Sequence, residues 1–243
     1  MATLKNNSTL HKAKVTVDIL PKGYCIPNQS ITPLEIAIHN TGDWDVPAKN
    51  YHAALKRFNK ENPKWQASYH FVVDDKEIYQ MVDTHKKAWH VGNYNYKVVG
   101  IEICMFHDES RQKVAEDNAI ALVLELMNML NIKDVAKVRP HSDYMVKHCP
   151  ELILDRDGSL AKFRTRIKNF KSQDQSETTP FVVRIICDSL NVRKGAGVSY
   201  DKVGELQKGD AYTIVEVKNN WGKLKSGLGW ISLGTKYVEK VGK

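Results

Sequence analysis

Residues 34–42 read LEIAIHNTG, and this stretch decides how the rest of the chain can be interpreted. Its first five residues form a mostly apolar run, which is typical of a buried β-strand. The turn-forming residues Asn40, Thr41 and Gly42 follow, so we expect the strand to end there. His39 then lies where a buried strand meets a turn, a common place for a functional side chain. A rim histidine bonded to backbone is the competing interpretation.

The segments around this strand predict a mixture of helices and strands. Apolar residues at helical spacing in 51–58 predict an amphipathic helix after a proline. Residues 69–82 predict a β-hairpin, and residues 98–106 (VVGIEICMF) a further strand. Residues 113–130 and 159–170 predict a long, mostly buried helix and a last helix. We therefore expect an α/β fold with a mixed central sheet flanked by helices.

A polar stretch divides the chain into two parts. Residues 171–180 (KSQDQSETTP) contain no aliphatic or aromatic side chain, as is typical of a solvated linker. Residues 181–243 hold short β-rich runs separated by glycine, asparagine and charged turns, which predict a small all-β barrel. The predicted organisation is a domain over 1–170, a linker over 171–180 and a second domain over 181–243.

Length and charge limit the possible functions. The chain has 243 residues, which suggests one or two domains. Its net charge is +8, which favours an anionic partner such as nucleic acid, an acidic membrane or an anionic polymer. Basic residues outnumber acidic ones by 24 to 20 in residues 1–170 and by 11 to 6 in residues 181–243. Basic charge is thus denser in the smaller part.

The sequence also bears on location. No window approaches the roughly 18 consecutive apolar residues of a membrane-spanning helix. The start, MATLKNNSTL, lacks the apolar core of a secretory signal, so we expect synthesis in the cytoplasm without a signal peptide. Four scattered cysteines do not form a disulfide framework, and reduced thiols are expected unless one binds a metal.

A loop candidate for metal binding lies at residues 139–150, RPHSDYMVKHCP. It holds His141, Lys147, His148 and Cys149 between two prolines. Imidazole and thiolate are zinc-type ligands, and three protein ligands leave a fourth position open, as catalytic zinc requires. The local spacing alone matches no standard zinc motif.

Glu102 is a second candidate, because it lies inside the apolar strand GIEIC. An ionised carboxylate there is costly unless it is paired, and such carboxylates concentrate at functional sites. A strand with Glu102 on a wet face is the alternative.

Four blocks together resemble those of a known family. IAIHNTG, ASYHFVVDD with EIYQMVDTHKKAWHVGN, GIEIC and HSDYMVKHC resemble, in this order, the type 2 N-acetylmuramoyl-L-alanine amidases over residues 15–170. These zinc amidases include phage amidase-type lysozymes and the peptidoglycan recognition proteins.

The resemblance implies roles for individual residues. It implies Zn²⁺ held by His39, His141 and Cys149, with Tyr69 and Lys147 beside the metal. Glu102 would be the acid/base carboxylate. His148 would be a neighbour rather than a ligand, and His70, which alternates with Tyr69 along its strand, would be structural. The remaining candidates are weaker. We expect His90 either to line the substrate groove or to pack with Trp89, and we expect Cys25 and Cys104 to be buried thiols outside any disulfide.

The second part resembles another known module. LNVRKGAG, VGELQKGDAYTIVEVKNNWGKL and GLGWI are similar to bacterial SH3-like domains, which often bind cell walls for hydrolases. Trp221 and Trp230 are either ligand platforms or partly core. The implied partners are peptidoglycan and anionic wall polymers, with no insertion into membranes.

These resemblances imply a peptidoglycan hydrolase that cleaves the amide between N-acetylmuramic acid and L-alanine. We expect a phage or prophage endolysin that lyses Gram-positive bacteria, reaching the wall through a holin. The alternatives are a non-catalytic peptidoglycan recognition protein and a host autolysin. A nucleic-acid binder is disfavoured, because the densest basic helix face, Arg164, Arg166 and Lys168, is more typical of a solvated surface.

Overall fold

The computed structural model describes residues 3–64, 66–170, 180–218, 220–234 and 236–241. These residues form two compact units, one ending at Phe170 and the other following it. The linker expected over 171–180 lies, up to Pro180, outside the described residues. The domain boundaries therefore stay a prediction.

The described part of the first unit contains a seven-stranded mixed sheet and four α-helices. The strands are β1 (Thr9–Leu10), β2 (Ala13–Val17), β3 (Glu35–Trp44), β4 (Phe71–Val73), β5 (Glu77–Gln80), β6 (Val98–Met105) and β7 (Val138–Pro140). The helices are α1 (Ala48–Glu61), α2 (Glu109–Met129), α3 (Glu151–Asp157) and α4 (Ala161–Asn169). The sheet order is β1-β2-β5-β4-β6-β3-β7, in which β4, β6, β3 and β7 run parallel. The predicted α/β fold with a mixed central sheet is confirmed.

The centre of this sheet is buried, which explains its apolar sequence. Every residue of β6 except Glu102 is buried, and so are the first six residues of β3. The long helix α2 packs against β6 and is buried over much of its circumference, as expected. It begins earlier than the predicted residue 113, because the Asp108 carboxylate accepts hydrogen bonds from the amides of Ser110 and Arg111. Within the described residues, no helix combines the length and apolar character needed to cross a membrane.

Two elements differ from the sequence-based expectation. Strand β3 does not end at Asn40 but continues to Trp44, with a shift of its register against β6 between these two residues. Gly42 takes a positive φ of 85° inside this irregular segment, so the turn-forming residues make a bulge instead of a turn. Helix α3 was not predicted, since seven residues are too few to display a helical period.

The described part of the second unit is an antiparallel β domain. Its strands are β8 (Phe181–Ile185), β9 (Ser189–Arg193), β10 (Lys202–Gln207), β11 (Ala211–Lys218), β12 (Trp221–Leu224), β13 (Trp230–Ser232) and β14 (Val238–Lys240). They form one sheet in the order β10-β9-β13-β12-β11-β8-β14 around a separate aliphatic core. Trp221 and Trp230 are both half-buried, which fits either of the roles considered for them. The predicted all-β second domain is confirmed.

Candidate active site

His39 and Glu102 meet because their strands are neighbours. β3 and β6 are parallel, and their register pairs His39 with Glu102. Paired residues of adjacent strands direct their side chains to the same face of a sheet. His39 Nδ1 lies 3.9 Å from Glu102 Oε1, and both side chains are largely buried. Glu102 therefore faces a histidine and not bulk water.

His141 and Cys149 reach His39 from the other side of β3. Strand β7 pairs Pro140 with Ile38 of β3. Because the two strands are parallel, the next residues, His141 and His39, also lie side by side. Their Nδ1 atoms are 3.1 Å apart, and Cys149 Sγ lies 3.9 Å from His39 Nδ1. All three side chains are buried, and one donor atom from each lies within 4.8 Å of the others.

Two hydrogen bonds hold the loop that carries His141 and Cys149. The Ser142 amide donates to the Cys149 carbonyl at 3.0 Å and closes the loop. The Tyr144 hydroxyl donates to the buried carboxylate of Glu35 at 3.0 Å, which ties the loop to the start of β3. Hydrogen bonds within the protein thus hold the two ligand candidates against the sheet.

The donor chemistry of this cluster fits a zinc ion. Zinc binds imidazole nitrogen at about 2.0–2.1 Å and thiolate sulfur at about 2.3 Å. Two nitrogens held tetrahedrally at that distance lie roughly 3.3 Å apart, close to the 3.1 Å between the two histidines. Glu102 Oε2 is buried with no hydrogen-bond partner among the described residues, so a carboxylate oxygen is free beside the cluster.

Burial controls the protonation of the cluster. Desolvation and the Lys147 charge lower the pKa of His141 to about 4, and desolvation lowers the pKa of His39 as well. Both imidazoles are therefore neutral at pH 7, as metal ligands must be. Burial, with the charge of Glu102, raises the pKa of Cys149 to about 12. The thiolate form of Cys149 thus depends on a cation beside it.

Glu102 has the most perturbed carboxyl group of the site. Burial raises its pKa to about 8, and the nearby positive charge of Lys147 acts in the opposite direction. A group that exchanges its proton near neutral pH is suited to general acid/base chemistry.

Tyr69 and Lys147 line the same cavity as the cluster, which has a volume of about 700 Å³. The Tyr69 hydroxyl donates to the backbone carbonyl of Tyr51 at 3.2 Å, so it must leave this partner to donate to a substrate. Burial raises the pKa of Tyr69, which keeps its hydroxyl protonated. The structure brings every residue predicted for the site to one cavity, and their chemical roles stay predictions.

Residues outside the cluster behave as neighbours. The His148 imidazole is exposed and lies 2.6 Å from the Asp155 carboxylate, away from the cluster. His70 is buried, with its Nε2 2.8 Å from the Lys86 carbonyl and its Nδ1 accepting from the Gly100 amide. Cys25 and Cys104 are buried, and neither forms a disulfide.

Two features of the site have no direct signal in the sequence. Tyr51, Leu55 and Phe58 line the cavity from α1, and their helical spacing predicted an apolar face but not that the face borders a cavity. His90 lies 3.1 Å from His39, although the two are 51 positions apart in the sequence. The two histidines come together because β3 pairs in parallel with β6, the strand that follows His90 in the chain.

Two family models match the chain. One, described as N-acetylmuramoyl-L-alanine amidase, matches residues 29–152, and the other, described as a bacterial SH3 domain, matches residues 188–239. The first match covers the cluster and the cavity, and the second covers most of the antiparallel β domain.

Curated relatives carry the same name as the first model. The chain is 32% identical over 171 residues to the N-acetylmuramoyl-L-alanine amidase CwlA of a Bacillus species, which covers 66% of this chain and 64% of CwlA. It is 41% identical over 133 residues to XlyA of Bacillus subtilis (strain 168), which covers 53% of this chain and 43% of XlyA. The chain thus spans less than two thirds of the length of either relative.

Solved structures resemble the first unit. The catalytic domain of XlyA aligns with a TM-score of 0.56 and 33% identity, over 64% of this chain and 99% of that domain. A mutant endolysin from Bacillus subtilis aligns with a TM-score of 0.56 and 32% identity, over 64% of this chain and 99% of that chain.

Proposed function

Since this chain belongs to the N-acetylmuramoyl-L-alanine amidase family, we propose that it hydrolyses the amide between N-acetylmuramic acid and the first L-alanine of the peptidoglycan stem peptide. The observation that carries the proposal is the convergence of His39, His141 and Cys149 within 4.8 Å beside a cavity. These residues come from two separate regions of the sequence, and their donor types match a catalytic zinc site with one open position.

We propose that His39, His141 and Cys149 hold a zinc ion. Zinc in such a site supplies Lewis acidity, which polarises a carbonyl group and makes water a stronger nucleophile at neutral pH. The remaining chemistry falls to the side chains around the three ligands.

Glu102 moves the proton in this proposal. In its ionised form, which the charge of Lys147 favours, Glu102 takes a proton from the attacking water through its unpartnered Oε2 and then delivers it to the nitrogen of the leaving alanine. Proton return is essential, because an amine leaves as a neutral group only when its nitrogen is protonated.

Lys147 stabilises the negative charge that develops on the carbonyl oxygen. Its ammonium group lies in the same cavity and already influences the pKa of Glu102 and His141. A positioned donor of this kind contributes about 3 kcal/mol to a transition state. Tyr69 is a second donor on the cavity wall, once its hydroxyl leaves the Tyr51 carbonyl.

Removal of one ligand tests the proposal. We expect Cys149→Ala to lose bound zinc and wall-lytic activity, measured by metal analysis and by the turbidity of purified Gram-positive walls. Cys187→Ala is the matched control, since it removes a free thiol of the second unit. Full lytic activity of a zinc-free Cys149→Ala chain would contradict the proposal. Wall binding without lysis by the zinc-loaded chain would favour a recognition protein instead.

We also propose that the chain acts as an endolysin on Gram-positive walls. Two observations support this role: a solved endolysin resembles the first unit, and the second unit matches a bacterial SH3 model. The second unit would hold the enzyme on peptidoglycan and anionic wall polymers. In this proposal the protein is made in the cytoplasm and passes a holin pore. Lysis of cells that co-express a holin, but not of cells without one, tests this route.

A further inference from the structure

We propose that His90 is a positioning residue that fixes the tautomer of His39, so that the Nδ1 lone pair of His39 faces His141 and Cys149. This inference rests on the proposed zinc site, because it concerns the orientation of one of its ligands. It derives from a chain of three groups: the Val98 carbonyl, the His90 imidazole and the His39 imidazole.

The chain begins at a group that can only accept. His90 Nε2 lies 3.2 Å from the Val98 carbonyl oxygen, within hydrogen-bond distance. Since a carbonyl has no hydrogen to give, His90 Nε2 must carry one. A neutral imidazole, the form that an ordinary histidine takes above pH 7, has a single ring hydrogen. The Nδ1 atom of His90 is then an acceptor.

Because His90 Nδ1 is an acceptor, it determines which nitrogen of His39 carries the hydrogen. His90 Nδ1 and His39 Nε2 are 3.1 Å apart, so His39 must supply the hydrogen between them. With its hydrogen on Nε2, the neutral His39 ring keeps a bare lone pair on Nδ1. This is the atom that lies 3.1 Å from His141 and 3.9 Å from Cys149. The proton arrangement is the one a metal ligand needs.

His90 is itself held in place. The Asn95 side-chain oxygen, which is buried, accepts hydrogen bonds from the amides of His90 and Val91 at 3.0 Å and 2.8 Å. Gly100 leaves the space that the ring occupies, since a Cβ at this position would lie 2.7 Å from His90 Nδ1. Both features orient the His90 ring toward His39. Packing of His90 against Trp89 alone would not require this orientation.

The tautomers can be measured without any metal. We expect long-range ¹H–¹⁵N NMR of the metal-free full chain to show both His39 and His90 with the hydrogen on Nε2, assigned by single histidine substitutions. A His39 ring with its hydrogen mainly on Nδ1 would overturn the proposal. This readout does not depend on activity or on the fate of the zinc proposal.

Two substitutions test the consequence for metal binding. His90→Asn keeps an acceptor oxygen near the position of Nδ1, and His90→Leu has a similar size but no acceptor. We expect His90→Leu to bind zinc at least roughly tenfold more weakly than the wild-type chain, in competition with a chelator. The zinc affinity of His90→Asn should fall by less than that of His90→Leu.

Equal zinc affinity of His90→Leu and the wild-type chain would overturn the positioning role. If the wild-type chain binds no zinc, the proposed function fails instead, and the NMR measurement still decides the arrangement of the hydrogens. The same measurement decides it if His90→Leu does not fold.

Discussion

At the scale of single residues, Glu102 shows how position creates chemistry. Its neighbours in β6 are buried apolar side chains, and burial raises its pKa to about 8. Among the described residues, none donates a hydrogen bond to Oε2 of this carboxyl group. Its Oε1 lies 3.9 Å from His39 Nδ1. A group in this state contributes little to stability and is available for proton transfer.

Glu102→Gln separates the contribution of Glu102 to proton transfer from its contribution to stability. We expect turnover on purified walls to fall by roughly 10²–10⁴, because an amide cannot exchange the proton. Thermal stability should stay equal at pH 7, where the buried Glu102 carboxyl is protonated, and should rise relative to wild type above pH 8, where the glutamate ionises and the amide does not. Glu125→Gln, at an exposed position of α2, is the control for both measurements. A variant with wild-type turnover would remove Glu102 from the mechanism.

His70 makes stability depend on pH. Burial lowers the pKa of its imidazole to about 4 in the folded chain, against an ordinary value of 6.5. Between these values the unfolded chain binds a proton that the folded chain does not, so stability is lost as the pH falls from 6.5 toward 4. The loss from this group is about 3 kcal/mol.

We expect His70→Gln to show a shallower fall of unfolding free energy between these pH values, measured by urea denaturation. Glutamine keeps a donor for the Lys86 carbonyl but cannot be protonated. His85→Gln changes a half-exposed histidine and serves as the control. An unchanged pH slope in His70→Gln would show that His70 is not the responsible group.

At the scale of elements, three helices are joined by one buried carboxylate. Glu116 of α2 is almost fully buried and accepts hydrogen bonds from Arg156 of α3 and Arg166 of α4. The arginines are only partly buried, so they stay solvated when the carboxylate is removed. The carboxylate itself links helices that follow the loop of Cys149.

Glu116→Gln should therefore destabilise the first unit by about 2 kcal/mol, because the contacts with both arginines lose the acceptor charge while the arginines themselves stay solvated. Chemical denaturation against the Glu125→Gln chain measures the difference. A loss below about 0.5 kcal/mol, which is typical of surface positions, would contradict the role given to this network.

The elements also explain what the sequence could and could not predict. The buried strands at 34–38 and 98–106 have strong apolar patterns, and both were predicted with their site residues. The extension of β3 past Asn40 depends on pairing with β6, and helix α3 is too short to have a visible period. The contact of His90 with His39 follows from strand order, which no local pattern encodes.

At the scale of the whole molecule, the two units differ in fold and in the density of their positive charge. The smaller domain, which matches a bacterial SH3 model, carries +5 in residues 181–243 (11 basic and 6 acidic), whereas the much longer residues 1–170 carry +4 (24 basic and 20 acidic). Attraction between exposed lysines and an anionic wall polymer weakens when salt screens it.

We expect the full chain to pellet with purified Gram-positive walls less as salt rises from about 0.05 M to about 0.5 M. Replacement of Lys218, Lys225 and Lys236 by glutamate should reduce pelleting at low salt, since all three are exposed in the second unit. The same change at Lys5, Lys64 and Lys133 is the control in the first unit. Equal loss from both sets would mean that the second unit has no special part in wall binding.

The central claim concerns which bond the protein breaks, and mass analysis of digested walls tests it most directly. Zinc-loaded protein should release stem peptides with a new L-alanine amine and leave glycan strands with free lactyl carboxylates. Metal-depleted protein should release neither until zinc is restored. New reducing sugar ends, or cleavage within the stem peptide, would contradict the account.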